Sequence, residues 1–216
     1  MILGVDGWSR HDEDADHLAH AVREVVGHHL GEGAVGRAVL ATHEIRLVRA
    51  HLSVSCVVPE RAPRPDGPVP KDQVEEQVRT LVTALAALLP ASGAVAATAP
   101  GLPDGIAHGD DGTALTGAWV AVAAAAARTS GRLVHFPGEG ALTGRLTVAD
   151  VLAASVVDEV VVLGGAPHLP STVLDTLGYV RPRLEAGRVR LLVQPGPNGT
   201  MVPFDREDTH DCCQDH

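Results

Sequence analysis

Residues 210–216 read His-Asp-Cys-Cys-Gln-Asp-His, and every one of them except Gln214 can ligate a metal or take part in redox chemistry. Two of the three cysteines in the chain stand side by side there, as Cys212 and Cys213. Cys213 and His216 have the C-x2-H spacing that lets two side chains reach one ion, Cys212 offers a second thiolate, and His210 or Asp211 a further ligand. Thiolates with imidazole select zinc or copper(I) over magnesium or calcium. Carboxylates and imidazoles are expensive to bury, so the segment is expected to be an irregular tail beyond the packed domain. Adjacent cysteines hold a single ion less comfortably than two separated CxxC pairs. A complete site would therefore draw a ligand from elsewhere in the fold or from a second copy. The same pair could exchange with a partner's disulfide, since a bridge between neighbouring cysteines is strained and easily reduced. The plain alternative is an acidic end without a task.

A second constellation, His108, Asp110 and Asp111, lies in a Gly/Asp-rich stretch over 101–112, just before an apolar helix. These groups suit general acid–base work or a hard cation, and a helix N-terminus behind them would offer amides to an anion. Equally, such stretches are turns, and Asp111 or Thr113 can simply cap the helix. Gly164 and Gly165 follow an expected strand and precede an expected short helix over 171–177, the place where α/β folds often bind ligands.

Other patterns read as structural. Glu13, His17, His20 and Glu24 share one face of an expected first helix and suit a solvated face, whereas His29 falls on the apolar stripe and is expected in the core. Gly31-x-Gly33-x-x-Gly36 follows a helix, and Cys56 stands where a ribose-binding acid would be needed, so it is no dinucleotide fingerprint. Cys56 itself, within an alternating strand, is expected to be a small buried hydrophobe. The hexapeptide Ile2–Gly7 resembles the first strand of ribonuclease-H-like domains, which carries a metal-binding aspartate, here Asp6. The likeness stops there: those domains continue into a β-hairpin, whereas this chain goes into a helix.

These groups must be held by a core of small aliphatics. Hydrophobic residues make up 45% of the 216, but aromatics only 2%. A net charge of -10 and scarce aromatics argue against nucleic acid, which is bound by cationic side chains and stacking platforms. Lys71 is the only lysine, a bias that fits a GC-rich bacterial genome. The longest apolar run, 118–127, is half a membrane span, and no signal peptide is evident. The expectation is a cytoplasmic protein with reduced thiols and no membrane.

Strands are expected over 2–6, 44–58, 94–98, 132–136 and 159–163, the last in the middle of a sheet. Helices are expected over 12–30, 71–89 and 114–129, the last buried, and one opening at Thr147 with Asp150 as capping partner. Strands then run consecutively over 179–184, 188–194 and 200–204. This order predicts an α/β fold, with α+β as the neighbouring option: a mixed sheet flanked by helices, a C-terminal antiparallel meander, then the Cys/His tail. Residues 1–207 form the domain, with the Pro-rich stretch 61–70 as a possible internal boundary. Three functions stay open: thiophilic metal binding by the tail, an enzyme acting on a small polar or anionic substrate through His108, Asp110 and Asp111, and an adaptor or assembly protein docking through its tail.

Overall fold

The computed structural model describes residues 1–47, 49–60, 69–109 and 112–205. The chain is an α/β protein that divides into two compact units: residues 1–137 with 184–187, and residues 138–183 with 188 onward.

Unit 1 is an antiparallel sheet between helices. Its strands are β1 (Ile2–Ser9), β2 (Val39–Arg46), β3 (Ala50–Val57), β4 (Ala94–Ala99), β5 (Leu102–His108) and β6 (Ser130–His135), in the order β5-β4-β1-β3-β2-β6. Late in the chain, Leu184–Gly187 returns beside Arg128 and Thr129, where Gly187 donates its amide to the Arg128 carbonyl at 2.8 Å. The stretch expected as one strand over 44–58 is a hairpin: β2 and β3 pair from Val39↔Val57 to Arg46↔Ala50. The expected Gly/Asp loop is partly a strand too. Residues 102–108 turn back at Gly101 (φ 84) and pair with β4. Pro103 is tolerated because β5 is an edge and one side of its backbone needs no partner.

One sheet face is apolar. Leu3, Val5, Leu40, Val54, Cys56, Val95 and Ala97 meet α1 (Asp12–Leu30) and α3 (Lys71–Ala86) in one core. The inward stripe of α1 is Ala15, Ala19, Val22 and Val26. His29 is exposed, which corrects its expected place in the core; the stripe is rotated by one position, toward small residues that let α1 sit close. Glu13, His17, His20 and Glu24 face solvent, as their spacing suggested. Arg132 of β6 pairs with Asp16 and ties α1 to that strand. Gly31 stops α1 in a positive-φ conformation, and Glu32–Val35 forms a short α2, so the G-x-G-x-x-G pattern is a helix end.

The other face is covered by α4 (Thr113–Ala127). The contact is unusually close at Gly4, where a methyl group would overlap the carbonyl oxygen of Ala118. Only half of α4 is buried: Ala114, Gly117, Ala118, Ala121, Val122 and Ala125 face the sheet, while Thr116, Val120, Ala123, Ala126 and Ala127 are exposed. The expectation of a fully buried helix fails because no further layer covers its outer side among the described residues.

Unit 2 holds β7 (Arg145–Thr147), α5 (Val148–Ala154), β8 (Glu159–Val162), β9 (Val173–Asp175), β11 (Arg188–Pro195) and β12 (Met201–Pro203); the short β10 (Arg183–Glu185) stands at the junction of the two units. Its pairings are mixed, with β8–β11 and β9–β12 parallel and β11–β12 and β7–β9 antiparallel. The Thr147 hydroxyl caps the Asp150 amide at the start of α5 as expected, and the Asp150 carboxylate accepts the Thr147 amide in return, which makes the cap reciprocal. The expected helix over 171–177 is instead β9, whose β-branched Val173 and apolar Leu174 complete a sheet edge between β7 and β12. β8 was expected inside a sheet and, among the described residues, pairs only with β11; its apolar run reflects a half-buried outer face. No helix among the described residues is long and apolar enough to cross a membrane.

Candidate functional site

The chemistry-bearing groups that the fold does bring together lie on the face of the unit 1 sheet beneath α4. Asp6 of β1 and His51, Ser53 and Ser55 of β3 occupy alternate positions that point to this face, as does His43 of β2. All five are less than 10% exposed. The Asp6 Oδ2 accepts from the Ser53 hydroxyl at 2.7 Å and lies 2.8 Å from the His51 Nε2, while Oδ1 accepts the Trp8 amide at 2.9 Å. The other ring nitrogen of His51, Nδ1, lies 2.9 Å from the Arg49 carbonyl. A carbonyl only accepts, so Nδ1 donates; Nε2 meets a carboxylate already serving two other donors. Both ring nitrogens thus face acceptors, Nδ1 the Arg49 carbonyl and Nε2 the buried carboxylate.

Trp8 closes this cluster. Its ring lies over His51 with centroids 4.5 Å apart, and its indole N–H donates to the Ser92 carbonyl at 3.0 Å. Its φ of 62° marks a bulge in β1, where the pairing with β3 shifts register between Val5 and Ser9. Gly117 of α4 lies against Asp6, and a side chain there would overlap Oδ2.

The residues are those of a hydrolytic relay, but the connections are not. In such a relay one imidazole nitrogen binds the carboxylate and the other takes the proton of the nucleophile. Here Arg49 occupies the second nitrogen and Ser53 donates to the same carboxylate oxygen as His51. Three donors and complete burial beneath α4 also leave Asp6 without the open approach that the ribonuclease-H-like likeness would require of a metal ligand. The cluster is a closed, satisfied network that fixes β1, β3 and α4 against one another.

Beside it, His43 Nε2 lies 2.7 Å from the Ser55 Oγ. Burial pushes its imidazole down to about 4 from an ordinary 6.5, only partly offset by the Ser130 backbone. The unfolded chain therefore takes up a proton near 6.5 that the folded chain resists until about 4. The unfolded state binds more protons in that window, so stability is full above about 6.5 and falls as pH drops toward 4, by about 3 kcal/mol. Urea midpoints measured across this window should drop more steeply for the wild type than for His43→Gln; equal slopes would refute this assignment.

The sequence-selected residues are not brought together. His108 is exposed at the end of the edge strand β5, opposite Val95, and Asp110 and Asp111 lie outside the described residues. The cap of α4 is Gly112, with no side-chain hydrogen bond to it from Thr113. Gly164 and Gly165 form a turn at positive φ, 86° and 75°, after β8. With β9 in place of a helix behind them, no helix N-terminus adds its amides there. His210, Asp211, Cys212, Cys213 and His216 all lie outside the described residues. Among the described residues, no group of three or more His, Cys, Asp or Glu side chains is placed to hold a metal ion. No family model, curated protein or solved structure matches the chain.

Cys56 is fully buried, as expected, and burial pushes its thiol up to about 12. A thiol held protonated in a core is neither a nucleophile nor a ligand. The buried polar cluster was missed in the sequence because His51, Ser53 and Ser55 alternate with Leu52, Val54 and Cys56 as a solvent-facing set would. The available signal was α4: a helix with no charged residue from Thr113 to Ala127 has to cover something.

Proposed function

We propose that this chain binds a thiophilic metal ion, zinc or copper(I), through residues 210–216, with Cys212, Cys213 and His216 as ligands and His210 or Asp211 in support. The observation that carries this reading is the ligand density of the tail, six ligand-type side chains in seven residues, two of them vicinal thiols. Two features of the fold support it by subtraction. Cys56 is sealed in the core, and the Asp6–His51–Ser53 cluster is buried and engaged in its own hydrogen bonds. The enzyme reading gains one exposed imidazole, His108, and no partner for it among the described residues.

The test is metal content by elemental mass spectrometry on reduced, untagged full-length protein, wild type against Cys212→Ser/Cys213→Ser. Zinc or copper bound by the wild type and lost from the variant, with the far-UV circular dichroism of the two unchanged, is the expected result. Metal absent from both overturns the proposal.

A further inference from the structure

The two faces of the unit 1 sheet are held by different means. Beneath α1 and α3 the contact is made by large aliphatics, among them Leu3, Val22, Leu40, Leu81 and Leu85, all wholly buried. Beneath α4 the apolar contact is thin: Ala96 packs with Ala118 and Val122, and the other inward residues of α4 are three alanines and Gly117. An alanine buries far less apolar area than a leucine and contributes correspondingly less. What α4 covers is largely polar. Asp6, the one buried carboxylate among the described residues, and His43 and His51, the only buried imidazoles among them, all lie on this face.

His43 has no free acid to face when it takes up a proton. From β3 come Ser53, its partner in the strand pairing, Ser55, whose Oγ lies 2.7 Å from Nε2, and the imidazole of His51. From β6 comes Gly131, so close that a methyl group there would stand 2.9 Å from the His43 Cε1. Arg132, next along β6, pairs with Asp16 of α1 on the opposite face. β1 brings Asp6, already engaged by Trp8, His51 and Ser53. On β2 itself, Glu44 and Arg46 pair with each other in solvent. Neither β4 nor α4 carries a charged or titratable side chain. A cation formed at His43 is therefore desolvated without a counter-ion of its own, a state that a fold avoids by opening.

We infer that His43 is an acid-triggered catch for α4: protonation of its imidazole releases α4 from the sheet, while α1 and α3 stay packed on the other face. The closed form keeps the imidazole neutral. Once α4 lifts, water reaches the ring and the proton binds at its ordinary affinity, so proton uptake favours the open form by linkage. The opening is local because the layer beneath α1 and α3 holds no buried carboxylate or imidazole and has the larger apolar contact. Release bares the underside of a helix that is uncharged from Thr113 to Ala127, together with the polar cluster it covers.

Hydrogen exchange read by mass spectrometry on the full reduced chain follows release segment by segment, at pH 7 and at pH 4.5, with each rate divided by the intrinsic rate at that pH. His43 titrates at about 4 when closed and near 6.5 when open, so the opening constant of residues 113–127 should rise about fiftyfold between the two conditions. Residues 78–85 of α3 should keep their protection. His43→Gln, which can still bond Ser55 but does not titrate, should remove most of the rise in α4. No rise in the wild type overturns the proposal, and so does a rise of equal size in α3, which would be unfolding of the whole layer. An equal rise in wild type and variant overturns His43 as the trigger. His43→Leu removes the same titration and takes the place of His43→Gln if that variant loses α3 protection at pH 7.

Discussion

Asp6→Ala is expected to cost about 3–5 kcal/mol of folding stability, the cost of leaving one member of a buried ion pair without its partner. The carboxylate is wholly buried and receives donors from Trp8, His51 and Ser53. Removing it leaves the His51 Nε2 and the Ser53 hydroxyl buried beneath α4 without their acceptor. Asp6→Asn should cost less, because the amide oxygen still accepts from one or two of the donors. A double variant, Asp6→Leu/His51→Leu, should recover part of the loss, since replacing both members removes the charge together with its partner. Chemical denaturation of the three variants measures this directly. An Asp6→Ala cost below about 1 kcal/mol would show that the cluster is not held as an ion pair.

Gly4→Ala is expected to cost about 3 kcal/mol or more, at or above the upper range for overpacked cores. The added methyl would overlap the backbone oxygen of Ala118, and a backbone atom cannot swing aside as a flexible side chain can. Gly117→Ala meets the Asp6 carboxylate instead, so it should destabilise both the helix seat and the cluster. Thermal melts that place either variant within a degree or two of the wild type would mean that α4 can lift from the sheet at little cost.

The parts of the fold that could be read from the sequence are those where one pattern had one meaning. Val78, Leu81, Val82 and Leu85 recur at helical spacing and are the buried stripe of α3. Thr147 and Asp150 announce a helix start by local hydrogen bonds that need no tertiary context. Errors arose where two meanings share a pattern. Residues 44–58 alternate in both arms, which pair up to Arg46↔Ala50, and alternation does not distinguish one long strand from a hairpin whose arms keep phase. Residues 171–177 are short and only partly apolar, and the need of β12 for a neighbour decided them. His51, Ser53 and Ser55 carry the alternation of a wetted face, and only the covering helix reveals that the face is dry. For the tail, ligand types and spacing are plain in the sequence, while the ion they would hold depends on contacts beyond any one segment.

The close seat of α4 also has a meaning for descent. Gly4, Asp6, His51, Ser53, Gly117 and Ala118 are bound in one steric and hydrogen-bonding agreement, so a change at one position is tolerated only alongside changes at the others. Lineages that have drifted beyond recognition elsewhere would still carry the set G-x-D, H-x-S-x-S and G-A at the start of the chain, on its third strand and in its alanine-rich helix. Such a scattered signature, searched as a unit, would recognise kin of this protein where overall similarity has faded.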